Sequence, residues 1–210
     1  MESDKDEKFK KDFEKLFNPE ILKKNLIRSS LYLTAFELLK YAIEQRIKGF
    51  LCIGQEMDEN FEYFNCQDYK DKIVNRRIPQ LNNNKNVYYS SCLWLKEANV
   101  ITEDEVEELQ KIRLHRNKIG HEIPKLMIDC DHEINLDLFE SIKRLFTKIE
   151  QWWIVEFEMP ANPEYDNFDY DSLDMNEVKS GNMILLNYLI DVVKYEIKKE
   201  NPAVASHVAG

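Results

Sequence analysis

Apolar residues recur at three- and four-residue intervals through most of this chain, the spacing of helices that bury one face. Phe9, Phe13, Leu16 and Phe17 mark a short amphipathic helix. Asn18-Pro19 reads as an N-cap and first-turn proline opening a second short helix to about Ile27. A long helix is expected from about Ser30 to Leu51, with Tyr32, Phe36, Leu39, Ile43, Ile47 and Phe50 facing the core. Its other side carries Thr34, Glu37, Tyr41, Glu44 and Lys48. Residues 54–68 are irregular, acidic and aromatic. A short helix over Asp68–Ile78 ends at Pro79, Asn82-Asn83-Asn84 is a loop, and Ser90-Ser91 caps a helix carrying Leu93, Trp94 and Leu95. Leu126–Ile134 fits a loop or a short strand. From Asn135 a strong helix has Leu138, Ile142, Leu145, Ile149 and Trp152 on its seam, with Phe139, Phe146 and Trp153 beside them. Asp174 with Glu177 signals a last helix, apolar around much of its circumference, running to about Lys199.

The pattern predicts an all-α fold: an antiparallel bundle of four to five main helices over residues 1–157, an acidic linker over 158–174, a C-terminal helix over 175–200 that packs on the bundle or on a second subunit, and a disordered tail over 201–210. Only 5 glycines and 6 prolines in 210 residues agree with long helices and few tight turns. A net charge of −10 disfavours a non-specific polyanion binder without excluding a local basic site. No stretch approaches the roughly 18 apolar residues of a membrane span. The first residues, Met-Glu-Ser-Asp-Lys-Asp-Glu-Lys, are charged with no apolar signal region, so a cytoplasmic location is expected. Cys52, Cys66, Cys92 and Cys130 form no CxxC pair and are read as reduced thiols.

One helix departs from a plain core pattern. Thr102 followed by Glu105 is a capping-box start. Leu109, Ile112, Arg116 and Ile119 then fall on one stripe, so a guanidinium occupies an otherwise apolar seam, where it is costly unless paired. Arg113, Asn117 and His121 form a parallel line, and Gly120 and Pro124 end the helix.

The run Arg116-Asn117-Lys118-Ile119-Gly120-His121 is an Arg and a His separated by four residues, with an amide directly after the Arg. Late in a helix of an all-helical chain, this resembles the HEPN superfamily of ribonucleases and nuclease-like toxins. The carrier is Lys111–Leu126, and the resemblance covers roughly residues 30–155. It implies a metal-independent RNA endonuclease without cofactor, homodimeric through the motif helix. Arg116, His121 and Asn117 would then be catalytic, with Arg113, Lys118 and Glu122 near the substrate. It further implies a role in phage defence or as a toxin, with an antitoxin or an ATPase as partner protein. In some toxin pairs a tyrosine two positions after the histidine is modified. Here that position is Ile123, which has no hydroxyl to modify.

The chemistry of the residues suits the implied reaction. Cleavage by attack of a 2′-hydroxyl on the adjacent phosphate needs a group that exchanges protons near neutral pH, which an imidazole supplies. It also needs fixed donors on the phosphorane, which a guanidinium supplies. The plainer reading is a helix C-terminus decorated with cations that complement its dipole. A non-catalytic helical module binding a protein or a nucleotide is the alternative function. His115 falls off the Arg113–Asn117–His121 line and reads as ordinary, Arg113 as either a phosphate contact or a surface salt bridge, and Glu37 and Glu44 as either solvated or paired with arginines across the bundle. Trp152 and Trp153 read as packing residues. Cys130-Asp131-His132 lacks the second ligand pair of a zinc site, and Asp166, Asp169, Asp171 and Asp174 lack the glycine and the bidentate Glu of a calcium loop.

Overall fold

A computed structural model of the chain describes residues 2–53, 66–122, 125 and 134–200. These residues form an all-α bundle without strands; an isolated bridge joins Ile78 to Asn84. The main helices are α1 (Glu2–Phe17), α2 (Pro19–Lys40), α3 (Arg46–Leu51), α4 (Val87–Glu97), α5 (Glu103–His121), α6 (Leu136–Trp153) and α7 (Gly181–Glu200). The expected strand-or-loop over Leu126–Ile134, the triad Cys130-Asp131-His132 and the tail from Pro202 lie outside the described residues, apart from Ile134.

Several helix starts fall where the capping chemistry demanded. Asn18 Oδ1 accepts from Glu20 N at 3.0 Å and Ile21 N at 3.3 Å. Asn135 Oδ1 accepts from Asp137 N at 2.9 Å and Leu138 N at 3.2 Å. The box at Thr102 closes in both directions: Thr102 N donates to Glu105 Oε2 at 2.9 Å, and Glu105 N donates to Thr102 Oγ1 at 3.2 Å. Such caps satisfy amides that the helix cannot.

Others differ. No break separates Ile27 from Ser30; Ser29 is buried and α2 runs through it. The helix then continues through a π-helical turn, Tyr41–Gln45, into α3. Over 68–78 the helix is a single α turn, Gln67–Tyr69, followed by a π turn, Lys70–Val74. α4 starts at least four residues earlier than expected, because extended Asn86, not Ser90 or Ser91, caps it by accepting from Tyr89 N at 2.8 Å. Ser90 and Ser91 lie inside that helix, fully buried. Asp174 does not open α7: its carboxylate accepts from Asn176 N at 2.8 Å in a local turn, and the helix is capped by Ser180, whose Oγ accepts from Met183 N at 3.1 Å. The stretch after α6 is a series of short helical turns, Ile154–Glu158, Met159–Ala161, Pro163–Tyr165 and Tyr170–Ser172.

The chain divides into two compact units. Unit 1 comprises Met1–Phe36, Ile112–Lys143 and Ile184–Gly210. Its buried residues include Tyr32, Phe36, Ile112, Ile119, Phe139, Ile142, Leu186 and Ile190. Unit 2 comprises Glu37–Lys111 and Arg144–Met183. Its core holds Leu39, Ile43, Ile47, Leu95, Leu109, Leu145 and Ile149, each burial worth about 1.5–3 kcal/mol.

Unit 2 also contains an aromatic cluster. Trp94 stacks on Trp153 at 6.2 Å with the ring planes 8° apart, and Trp152, Phe50 and Phe157 close around them. Trp153 Nε1 donates to Ala42 O at 3.1 Å, so Trp153 is a packing residue with its polar atom satisfied. Beside it, buried Glu150 is held by Arg46, whose Nη2 lies 3.0 Å from Oε2 and Nε 3.0 Å from Oε1; Glu158 takes a further contact with Arg46. Glu44 pairs with Lys40 on its own helical run at 3.8 Å.

Cys52 and Cys66, also in unit 2, are joined by a disulfide, with Cα atoms 5.4 Å apart. This corrects the reading of these two as reduced thiols. The end of α3 and the turn that begins after Cys66 bring two distant positions into bonding reach, which spacing along the chain does not reveal. Cys92 is a buried thiol. No helix among the described residues is long and apolar enough to cross a membrane.

Candidate functional site

The last three turns of α5 lie in unit 1. Ile112 and Ile119 are fully buried, and Arg116 sits between them on the same stripe, half-buried. Contacts with Phe36 and Asn117 accompany that guanidinium, and its course along the helix is set by a third position. Its Cζ lies 5.6 Å from the centroid of the Phe36 ring, a cation–π arrangement. Its Nη1 donates to Asn117 Oδ1 at 3.5 Å, a long contact. A Cβ at position 120 would lie 3.8 Å from Nη1, so the guanidinium runs along the helix surface toward Gly120.

His121 is the final residue of α5 and is exposed. On a regular helix it stands roughly 140° around and about 7.5 Å along from Arg116. One helix therefore displays the two groups on different sides. Arg113 and Asn117 are half-buried and Lys118 is exposed. Glu122 forms an ion pair with Lys125 at 3.0 Å. Of the residues singled out from the sequence, Arg116 and Asn117 are brought into contact, and His121 stands apart.

The residue that pattern reading passed over is His115. Its Nε2 accepts from the backbone amide of Asn135 at 3.0 Å, and its ring meets Tyr32 edge-on at 5.0 Å. Nε2 is therefore the unprotonated nitrogen and the proton resides on Nδ1. Burial lowers the His115 pKa, and the charge of Lys118 lowers it further, so the neutral form is favoured. Asn135 uses its side chain to cap α6 and its own amide to reach His115, tying the motif helix to the start of α6. Tyr32, its hydroxyl pushed upward in pKa by burial, donates to Ile112 O at 3.3 Å. Nothing along the chain links positions 115 and 135 before the fold is known.

Among the described residues, no group of three or more His, Cys, Asp or Glu is placed to hold a metal ion. Compared with protein-family models, with curated proteins and with solved structures, the chain matches none.

Proposed function

We propose that this protein is a metal-independent RNA endonuclease of HEPN type whose active site is completed by two copies of the chain. The observation that carries the reading is the setting of Arg116: a guanidinium retained on a buried seam beside Phe36 and Asn117, five residues before an exposed imidazole. A surface cation serving only the helix dipole needs no such housing. Because Arg116 and His121 diverge on one helix, a twofold pairing of α5 would supply Arg116 from one copy to His121 of the other.

In this mechanism His121 takes the proton of a 2′-hydroxyl as its oxygen bonds to phosphorus. Arg116 and Asn117 hold the phosphorane oxygens. The bond to the 5′-oxygen breaks, and that oxygen takes a proton from the second imidazole. The products are a 2′,3′-cyclic phosphate and a 5′-hydroxyl. A positioned acid–base group contributes about 10²–10⁴-fold and one lost oxyanion donor about 10²–10³-fold.

The test incubates purified protein with total RNA in EDTA. Cleavage leaving 2′,3′-cyclic phosphates is expected, with His121→Ala and Arg116→Ala at least 100-fold slower and unchanged in far-ultraviolet circular dichroism. Normal cutting by either variant, or full activity from a monomer, removes the assignment. A second reading, a non-catalytic module that binds a protein, is favoured by Ile184, Leu185 and Tyr188, which α7 leaves exposed. It predicts no cleavage at any protein concentration. A defence or toxin role belongs to the first reading and would bring an antitoxin or ATPase partner.

A further inference from the structure

α1 carries an aromatic face that unit 1 leaves bare. Phe9, Phe13 and Phe17 recur at i, i+4 and i+8 and are 71%, 53% and 65% exposed. The partly buried side of the helix lies elsewhere, at Asp12, Lys15 and Leu16. The three rings touch one another, Phe9 to Phe13 at 6.2 Å and Phe13 to Phe17 at 4.4 Å between centroids. Among the described residues they meet no other ring. A lone exposed apolar residue is ordinary, but a contiguous ladder of three marks a contact surface.

Charge and area identify the occupant. Lys10 and Glu14 stand along one edge of the ladder, both exposed. They are spaced i, i+4, yet neither forms an ion pair with a described residue. Glu7 and Lys11, at the same spacing but with the carboxylate first, do pair at 2.9 Å. Lys before Glu is the weaker order within a helix, so Lys10 and Glu14 keep their charges for another partner. A second α1 laid antiparallel on the first, with a twofold axis passing at Phe13, sets Phe13 against Phe13 and Phe9 against Phe17. Residue 10 then lies opposite residue 16 of the other copy. That leaves Lys10 and the partner's Glu14 on the same side of the contact, about 3 Å apart along the axis. The symmetry makes this pair twice. A parallel pairing puts the two edges on opposite sides and makes it not at all.

The area agrees with self-association that depends on concentration. Rings of about 150–250 Å² each, exposed to the extent given, offer roughly 300–450 Å² per copy. Two copies bury roughly 600–900 Å² of ring surface, and the stems of Lys10 and Glu14 carry this toward the ~1,200 Å² of the smallest stable interfaces.

We propose that two copies of this chain pair through α1, antiparallel about a twofold axis at Phe13, with the Phe9–Phe13–Phe17 ladders in contact and Lys10 of each copy paired with the partner's Glu14. The contact does not rest on RNA cleavage, since Arg116 and His121 take no part in it. Where α5 also pairs, a chain that has lost the α1 contact keeps that second one, and the two are read as separate steps.

Sedimentation velocity of the full chain, from micromolar to millimolar concentration, tests this. Phe13→Glu should weaken one association step by roughly thirtyfold or more, with far-ultraviolet circular dichroism unchanged because the position is exposed. Lys10→Glu and Glu14→Lys each set like charges along the shared edge, and each should weaken the same step by roughly threefold or more. Mixed in equal amounts, these two variants should associate with each other more tightly than either does with itself. Neither a change within one helix nor unspecific adhesion of the rings produces that reciprocity. The proposal is overturned if the chain is monomeric throughout, if Phe13→Glu leaves every association step unchanged, or if the mixed variants gain nothing over each alone. Phe13-dependent binding to phosphatidylcholine vesicles by a chain that does not self-associate would assign the ladder to a lipid surface and equally overturn it.

Discussion

Replacing Glu105 removes three interactions at once, and their sizes can be worked out separately. The residue is 9% exposed. Its Oε2 accepts from Thr102 N at 2.9 Å and from Lys148 Nζ at 2.7 Å, and its Oε1 accepts from Arg144 Nη1 at 2.7 Å. Loss of the reach-back to Thr102 costs about 1 kcal/mol, the usual value of a cap. The two ion pairs are worth less than their short distances suggest. The cationic ends are 52% exposed at Arg144 and 42% at Lys148, and water screens them. Each is therefore held to about 0.5–1 kcal/mol. Glu105→Ala should cost about 2–3 kcal/mol, and Glu105→Gln, which keeps an oxygen for the Thr102 amide, about 1 kcal/mol less.

The carboxylate also sets an acid limit. Burial raises its pKa, but Lys148, the Thr102 amide and Arg144 together outweigh burial and hold it below the ordinary 4.5. The folded value thus lies under the unfolded one. The stabilisation is complete above about pH 4.5 and is lost as pH falls through the lower folded value. Urea titrations followed by far-ultraviolet circular dichroism, at steps from pH 7 to 3, measure both effects. The reasoning fails if Glu105→Ala costs under about 0.5 kcal/mol, or if Glu105→Gln retains the full acid dependence.

Two further outcomes follow from groups already described. His115, lowered in pKa by burial and then by Lys118, is neutral when folded, while the unfolded chain takes up a proton near 6.5. Stability should be flat above that pH and fall as pH drops from 6.5 toward the depressed folded value. The ring's other neighbour, Tyr32, carries no charge there. His115→Gln should flatten the slope, and the hydrogen-exchange protection factor of the Asn135 amide should fall on acidification in the native protein but not in the variant. Reducing the disulfide between Cys52 and Cys66, which are 14 positions apart, or replacing either cysteine with Ser, should cost about 3 kcal/mol by loop-closure entropy. A thiol titration of the unreduced denatured chain that finds all four cysteines free would remove the bond itself.

The parts of the fold legible in the sequence were those decided within one or two turns. Thr102 and Glu105 announced a helix start because both halves of the box lie three residues apart. Asn18 before Pro19, and Asn135 before an apolar stripe, did the same. Residue type misled where several candidates competed for one boundary. Asn86, Ser90 and Ser91 are all capable caps, but only Asn86 has the extended backbone, φ −153° and ψ 112°, that a cap requires. Asp174 lost to Ser180 in the same way.

In the candidate site, the odd position of Arg116 could be read from periodicity. Its partner Phe36 could not, being eighty residues away. His115 was passed over because its role depends on Asn135, and Cys52 with Cys66 because a loop, not a motif, joins them.

All three tryptophans of the chain, Trp94, Trp152 and Trp153, belong to unit 2. Intrinsic tryptophan emission is therefore blind to unit 1, which carries Arg116 and His121. The near-parallel Trp94 and Trp153 rings should couple as a pair of oscillators, giving a near-ultraviolet dichroic signature that belongs to unit 2 packing alone. Watching unit 1 calls instead for its tyrosines, such as Tyr32, or for an indole placed there deliberately.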